Sequence, residues 1–314
     1  MSSFDSLRGI VLLQIGATRE RFKLALTTLT NILRPTNVAD VPRLLKEHGD
    51  SAMIMGGGTF IHGLVARGLV TGVEKLIDLS ALNLGQLELS RKSLYIGASV
   101  TYAALERSTE AHSNETLHAL LDAIAYPPQQ IKNAATVAGC IAGSCPFLDL
   151  PIVMLALDAS AHVSGSTHER LVPVEDLFVS LFQTSLADDE FMTGFTVPLP
   201  SKSTASSFEK LETTANDLSI VSAGVRLSSG WLKAKPCRIF IGGGIGEVPF
   251  RCVQAEEVIN GSKLEDHDID RAAQTAADEI EPFGDHRASA EYRKKMTGVL
   301  VARNLRQARS RLNQ

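Results

Sequence analysis

No stretch of this chain is long and apolar enough to cross a bilayer. The longest such run, Leu150–Leu157, is broken by Pro151 and falls far short of the ~18 residues that a spanning helix requires. Cysteine is scarce: four residues, at positions 140, 145, 237 and 252, with no C-x-x-C pair among them. That excludes a secreted disulfide framework. With no cluster-type run and no third ligand flanking Cys140 and Cys145, it also argues against zinc or iron–sulfur binding by this chain alone. Basic charge is not in excess, since 31 Lys and Arg stand against 35 Asp and Glu for a net charge of −4. The electrostatic footprint of a nucleic-acid binder is therefore missing. The N-terminal apolar patch follows an acid and leads to no small-residue cleavage site, so export is not expected and a reducing, cytoplasmic compartment is. Neither G-x-S-x-G nor H-E-x-x-H occurs, and no nucleophile–base set suggests itself. No catalytic side chain is expected, and any chemistry must come from a cofactor.

What is present is the composition of an ordinary globular enzyme. Hydrophobic residues make up 44% and charged residues 21% of 314, a length that suggests two or three domains. After a leader of residues 1–32, the chain alternates strand and helix. A helix capped by Asn37 or Asp40 and stopped by Gly49 precedes a strand at 51–55, a helix at 60–68 and a strand at 75–79. A strand at 93–96, a helix from Thr101 and a helix over 151–157 follow, the last with Pro151 in its first turn. Beyond a Ser- and Pro-rich break at 198–206 the texture changes to strands at 220–227 and 234–242, then helices. The final helix reads as amphipathic through Tyr292, Met296, Val299 and Leu300. From Tyr292 to the last residue there are seven basic side chains and no acid. These read as cations facing solvent and the helix's own C-terminal dipole, with a docking surface for an acidic partner as the alternative.

Two segments invite a ligand. Gly56-Gly57-Gly58-Thr59 sits at a strand end, where glycines let backbone N–H groups converge on a phosphate; a plain tight turn is the other reading. The stretch 130–149 interleaves Ala and Gly with Thr136 and Ser144 and ends in Asp149. It offers amides and hydroxyls to phosphate or ribityl oxygens, or else it is a small-residue packing surface with Asp149 capping the next helix. His62 reads as a helix-surface residue. Asp285-His286-Arg287 with Glu291-Tyr292-Arg293 reads as a structural charge network.

Four blocks make the reading specific: MGGGTF at 55–60, IGASVT at 96–101, QIKNAATVAGCIAGSCPFLD at 130–149 and PFGDHRASAEYR at 282–293, joined by FEKLETTANDLSIVSAGVRL at 208–227. In order and spacing they resemble the FAD-binding medium subunit of the molybdenum hydroxylases, the xanthine dehydrogenase and carbon monoxide dehydrogenase group, from about Leu33 to the end. The resemblance implies an α+β chain: a two-lobed PCMH-type FAD-binding domain at 33–200, with lobes at about 33–85 and 86–200, then a C-terminal α+β domain at 206–314 with a three-stranded sheet and a helical bundle.

It also implies site residues. Gly56, Gly57, Gly58, Thr59 and Phe60 match the loop that holds the FAD pyrophosphate, and Thr136, Ala138, Gly139 and Cys140 lie in the second such loop. Ser144 and Asp149 match positions near the pyrophosphate or ribityl chain, Ile96 and Thr101 a strand end near the flavin, and Met192 and Lys210, more loosely, its isoalloxazine ring. The second loop departs from the family's Thr-Ile-Gly-Gly-Asn twice, at Ala138 and Cys140. A lost amide hydrogen bond at 140 would cost about 1–2 kcal/mol, or about tenfold in FAD affinity.

The implied role is an electron-exit module. A large molybdopterin subunit and a small subunit with two [2Fe–2S] clusters would supply electrons, in a dimer of heterotrimers, and NAD+, oxygen or another carrier would accept them. Two other readings compete: a stand-alone flavoprotein oxidase, and a scaffold subunit that has lost its flavin.

Overall fold

A computed structural model describes residues 28–200, 203–229 and 234–312. Most of the leader and the middle of the 198–206 break lie outside these residues. The first lobe is a parallel three-stranded sheet. It is built from β1 (Asn31–Leu33), α1 (Asp40–His48), β2 (Ala52–Met55), α2 (Thr59–Ala66) and β3 (Lys75–Asp78), in the order β1-β3-β2. Neither Asn37 nor Asp40 is the N-cap of α1. Ala39 is, with Asn37 accepting from its N–H, while Gly49 at φ +49° closes the other end.

The second lobe opens with β4 (Leu87–Leu89) and β5 (Ser93–Gly97) and passes through five helices: α3 (Tyr102–Arg107), α4 (His118–Ala125), α5 (Gln129–Ala134), α6 (Val137–Ala142) and α7 (Asp149–Ala156). Strands β6 (Ser160–Ser164), β7 (Glu169–Pro173), β8 (Phe178–Ser180), β9 (Gln183–Thr184) and β10 (Phe191–Pro198) complete it. Five of its strands form an antiparallel sheet in the order β4-β5-β10-β6-β7, and β8 with β9 makes a separate small hairpin.

The third part is an antiparallel sheet of three long strands, β11 (Thr204–Leu211), β12 (Val221–Ser229) and β13 (Ala234–Gly243), to which the two-residue β14 (Phe250–Arg251) adds an edge. Helices α8 (Val253–Ile259), α9 (Asp266–Glu279) and α10 (Ala290–Leu312) cover one face. Strand alternation explains how this sheet is shared. Val221, Ala223, Val225 and Leu227 point into the helical bundle. On the opposite face Gly224 lies against Ile152 of α7.

Helix α7 takes up that second face. Its sequence is apolar all round and every residue from Leu150 to Ala156 is buried, as expected of a helix held between two layers. The carbonyls at its C-terminal end find cations across the seam: Arg238 Nε donates to Leu155 O and Arg226 to Leu157 O. Arg238 also pairs with Asp158 and Glu175, so the sheet is tied to the second lobe through ions as well as packing.

The last helix corrects the periodic reading. Tyr292 is exposed at 44%, and the buried stripe runs Arg293, Thr297, Leu300, Val301, Asn304, Leu305 and Ala308. The stripe is headed by an arginine that no hydrophobicity pattern would select. Arg293 reaches Asp285 at 2.6 Å and the Ile220 carbonyl. The other cations are engaged too: Arg303 with Glu209, Arg306 with Asp270, Arg309 with Asp266, Arg311 with Asp122 and Lys294 with Asp278. Six of the seven basic residues of the tail are thus paired inside the chain, which leaves little free charge for an acidic partner.

Candidate cofactor-binding site

A cleft of about 290 Å³ opens between the two N-terminal lobes, at the small end of the usual range for ligand clefts. One wall is the turn after β2 and the first turn of α2: Gly56, Gly57, Gly58, Thr59, Phe60 and Ile61. The other comes from the start of α6, where Thr136, Ala138 and Gly139 line it, followed by Ala142 and Gly143. Ala98 and Ser99, just past β5, close the space between them. Two small-residue segments some 80 positions apart therefore form one concave surface.

Backbone contact decides that convergence. A Cβ on Gly57 would overlap the Ala134 carbonyl, and one on Gly56 would meet Thr136 Oγ1 at 2.8 Å. Gly58 lies at φ +71° and starts α2 without a side-chain cap. First-turn N–H groups have no partner inside a helix, so this turn presents donors to the cleft. Thr136 caps α6 by accepting from Gly139 N, and its backbone bridges to Thr101, which caps α3 in the same way. Apart from Glu190, the rest of the wall is apolar and includes Met53, Ile54, Leu64, Leu79 and Leu186. Donors at the bottom and aliphatic sides suit a phosphate-linked flat ring.

The remaining residues singled out by the sequence fall into two groups. Met192, on β10, lines the cleft. Ile96 is fully buried in β5 and Thr101 is a cap, so the two flank Ala98 and Ser99 instead of facing the space. Cys140 is buried beside the Tyr102 phenol, and burial pushes its thiol up to about 12. It points away from the cleft lining.

Asp149 and Lys210 are joined to each other. Lys210 Nζ lies 3.0 Å from Asp149 Oδ2, 3.1 Å from Glu212 and 4.8 Å from the Tyr126 ring, while Ser219 donates to Asp149 Oδ1. The pair sits at the seam between α7 and the third part. Burial raises the Asp149 carboxyl, against the opposing pull of Lys210. Asp149 is the first residue of α7, but its side chain caps nothing there. His62 is exposed on α2 and lies outside the cleft lining.

Besides the aliphatic wall, two further cleft residues escaped the sequence reading. Glu190, immediately before β10, is held by Arg170 through two 2.7 Å bonds, by Ala187 N at 2.8 Å and by His168 at 3.0 Å. The Arg170 guanidinium brings its carboxyl down to about 2. Its partner is 20 residues away, and nothing distinguishes Glu190 from the neighbouring Asp188 and Asp189 in the sequence. Phe182, at the tip of the β8–β9 hairpin, packs on Phe60 with ring centroids 5.9 Å apart. Among the described residues no cluster of His, Cys, Asp and Glu is arranged to hold a metal, and no helix is long and apolar enough to cross a membrane.

Comparison with known proteins agrees with this geometry. Residues 25–200 match the FAD binding domain in molybdopterin dehydrogenase, and residues 206–308 match the CO dehydrogenase flavoprotein C-terminal domain. The chain belongs to the FAD-binding medium-subunit family of the molybdenum hydroxylases. It is 31% identical over 270 residues to the 6-hydroxypseudooxynicotine dehydrogenase complex subunit alpha of Paenarthrobacter nicotinovorans, covering 85% of this chain and 90% of that one. The nicotine 6-hydroxylase medium subunit of the same organism is 29% identical, over 88% and 96% of the two chains. The structure of reconstituted CO dehydrogenase from Oligotropha carboxidovorans superposes with a TM-score of 0.84 at 27% identity, covering 90% of this chain and 98% of that one. The α+β fold is the family's. Like its relatives, this medium subunit is an FAD-binding flavoprotein component of an oxidoreductase.

Proposed function

We propose that this medium subunit is the electron-exit module of a molybdenum hydroxylase. It would sit in the cytoplasm between a small [2Fe–2S] subunit and a terminal acceptor (NAD+, oxygen or another carrier), in a dimer of heterotrimers with a large molybdopterin subunit. The division into an FAD-binding domain at 33–200 and a C-terminal domain at 206–314 belongs to this reading. One observation carries it: the Gly56–Gly58 turn and the segment over 134–139 meet so closely that a Cβ on Gly57 would overlap the Ala134 carbonyl and one on Gly56 would come within 2.8 Å of Thr136 Oγ1. Such a cradle fits a pyrophosphate approached by backbone alone.

Bound FAD supplies the redox chemistry, collecting single electrons and releasing them as a pair. The chain supplies position and access. Gly56–Thr59 offer N–H groups and the positive end of α2 to the diphosphate. Met53, Leu64, Leu79 and Met192 would keep water from a bound flat ring, and among the described lining residues the one carboxylate, Glu190, is tied to Arg170. Ala138 is nearly buried and packs with the core while touching the cleft, so its methyl occupies interior space. That favours FAD retention over a flavin-free scaffold.

The test is spectroscopic and kinetic. The complex purified with this chain should show bound flavin, and its substrate should reduce that flavin only when the large and small subunits are present. Flavin reduction by a small-molecule substrate in the isolated chain would instead mark a stand-alone oxidase. A colourless complex that takes up no added FAD would overturn both.

A further inference from the structure

At two linked positions the backbone adopts a conformation that L side chains avoid. Ser144 lies at φ +40° and Phe182 at φ +62°, both in the left-handed region where glycine is the usual occupant. The two are bonded to each other. Phe182 N donates to Ser144 O at 2.9 Å, and the buried Ser144 hydroxyl is shared between the carbonyls of Ser180 and Gln183 at 2.9 and 3.0 Å. Ser144 therefore grips both sides of the hairpin turn whose tip is Phe182.

The residue at that tip is an unexpected choice. A turn with positive φ calls for Gly or Asn, yet a phenylalanine stands there and remains 42% exposed. It belongs to neither of the two hydrophobic cores. Its ring lines the cleft and lies tilted at 57° to Phe60, whose ring also lies against Gly143, where a Cβ would meet it at 2.8 Å. The aromatic pair is thus backed by main chain on one side and open to the cleft on the other. A strained, half-exposed aromatic is explained when a ligand completes its burial.

We propose that Phe182 is an aromatic cover that packs on a flat ring of the bound dinucleotide, and that Ser144 is the positioning residue that holds it over the cleft. The inference rests on FAD occupying this cleft. It assigns Ser144 a role through Phe182 in place of direct contact with the cofactor.

The test uses the full-length chain in its complex, with flavin removed and FAD added back while flavin fluorescence and the visible spectrum are followed. Phe182→Gly relieves the backbone strain, so its melting temperature should hold or rise, while FAD binding weakens on the order of tenfold, the scale of one ring-stacking contact. Phe182→Trp should bind close to wild type. A shifted visible spectrum in Phe182→Gly assigns the stacked ring as isoalloxazine. An unshifted spectrum, with affinity lost for FAD but not for FMN, assigns it as adenine. Ser144→Gly should weaken binding several-fold, and the double variant should be no worse than Phe182→Gly alone, because one residue acts through the other. Wild-type uptake of FAD with equal affinity in Phe182→Gly overturns the cover. A wild-type complex that binds no FAD overturns the functional reading and the cover with it.

Discussion

Replacing Lys210 by methionine tests whether Asp149 and Lys210 serve the seam or the cofactor. The ammonium of Lys210 is the cation between two largely buried carboxylates, 3.0 Å from Asp149 and 3.1 Å from Glu212, and it also donates to the Asp217 carbonyl. Methionine keeps the stem and removes the charge. Asp149, already raised by burial, then has only the Ser219 hydroxyl for support, and removal of one partner of a buried pair costs about 3–5 kcal/mol. The pH dependence has a definite sign. With its cation gone, the folded-state pKa of Asp149 climbs further above the unfolded value, so the folded form binds a proton more tightly, and stability returns as pH falls through that raised pKa. Denaturant unfolding at about pH 8 should therefore show most of the loss, and at about pH 5.5 part of it should be recovered. Asp149→Asn added to Lys210→Met should recover much of the rest. A loss below about 1 kcal/mol, or one that does not change with pH, would refute the reasoning. A large drop in FAD affinity without loss of stability would return both residues to the cofactor.

Gly57→Ala should drive the first loop away from Ala134 and loosen FAD by about tenfold or more, with about 1–3 kcal/mol of strain in the apo fold, measured by flavin titration and melting. Glu190→Gln should cost about 2 kcal/mol, discounted for the partly exposed Arg170. In the wild type, that contribution is complete above the ordinary glutamate range near 4.5 and is lost as pH falls toward about 2; an acid unfolding profile unchanged by the substitution would contradict this. All four cysteines are buried, with Cys140 and Cys145 pushed up to about 12 and 11 and the other two higher still, so none should react with a thiol reagent near pH 8 until the chain is unfolded. Cys140→Asn restores the family's residue but puts an amide into a buried site beside Tyr102. It should cost about 1–3 kcal/mol and leave FAD affinity unchanged, whereas a tenfold tightening would mean that the side chain reaches the cofactor.

The elements that position the site were legible where local signals agree with the fold. The strand–glycine–helix run over 52–66 follows from turn chemistry within a few residues of sequence, whereas no helix is expected there behind Thr136, whose cap emerges only in the structure. Long-range partners were not. Asp285 and Arg293 do pair, as the structural charge network over 285–287 and 291–293 suggests, but nothing in the sequence shows that Arg293 is fully buried against the Ile220 carbonyl, 73 residues away. Glu190 and Phe182 were missed for the same reason: what sets them apart is Arg170, Ser144 and Phe60, and none of these is a sequence neighbour.

The family resemblance transfers unevenly for a physical reason. Where it rests on backbone, as at Gly56–Gly58 and Gly139, the same residues reappear on the cleft wall, because what they provide is the absence of a side chain. Where it rests on side chains, the partner determines the outcome. Cys140 follows the cap of α6 on its inner face, so replacing the usual asparagine changes what Tyr102 meets in the core. Asp149 stands at the start of α7, but α7 is enclosed by the sheet of the third part, and the carboxylate answers Lys210 and Ser219 across that seam. A motif residue thus keeps its place in the chain while its contacts depend on the layer packed against it. The two lobes and the third part must therefore be considered together before any polar residue of the second loop is given to the cofactor.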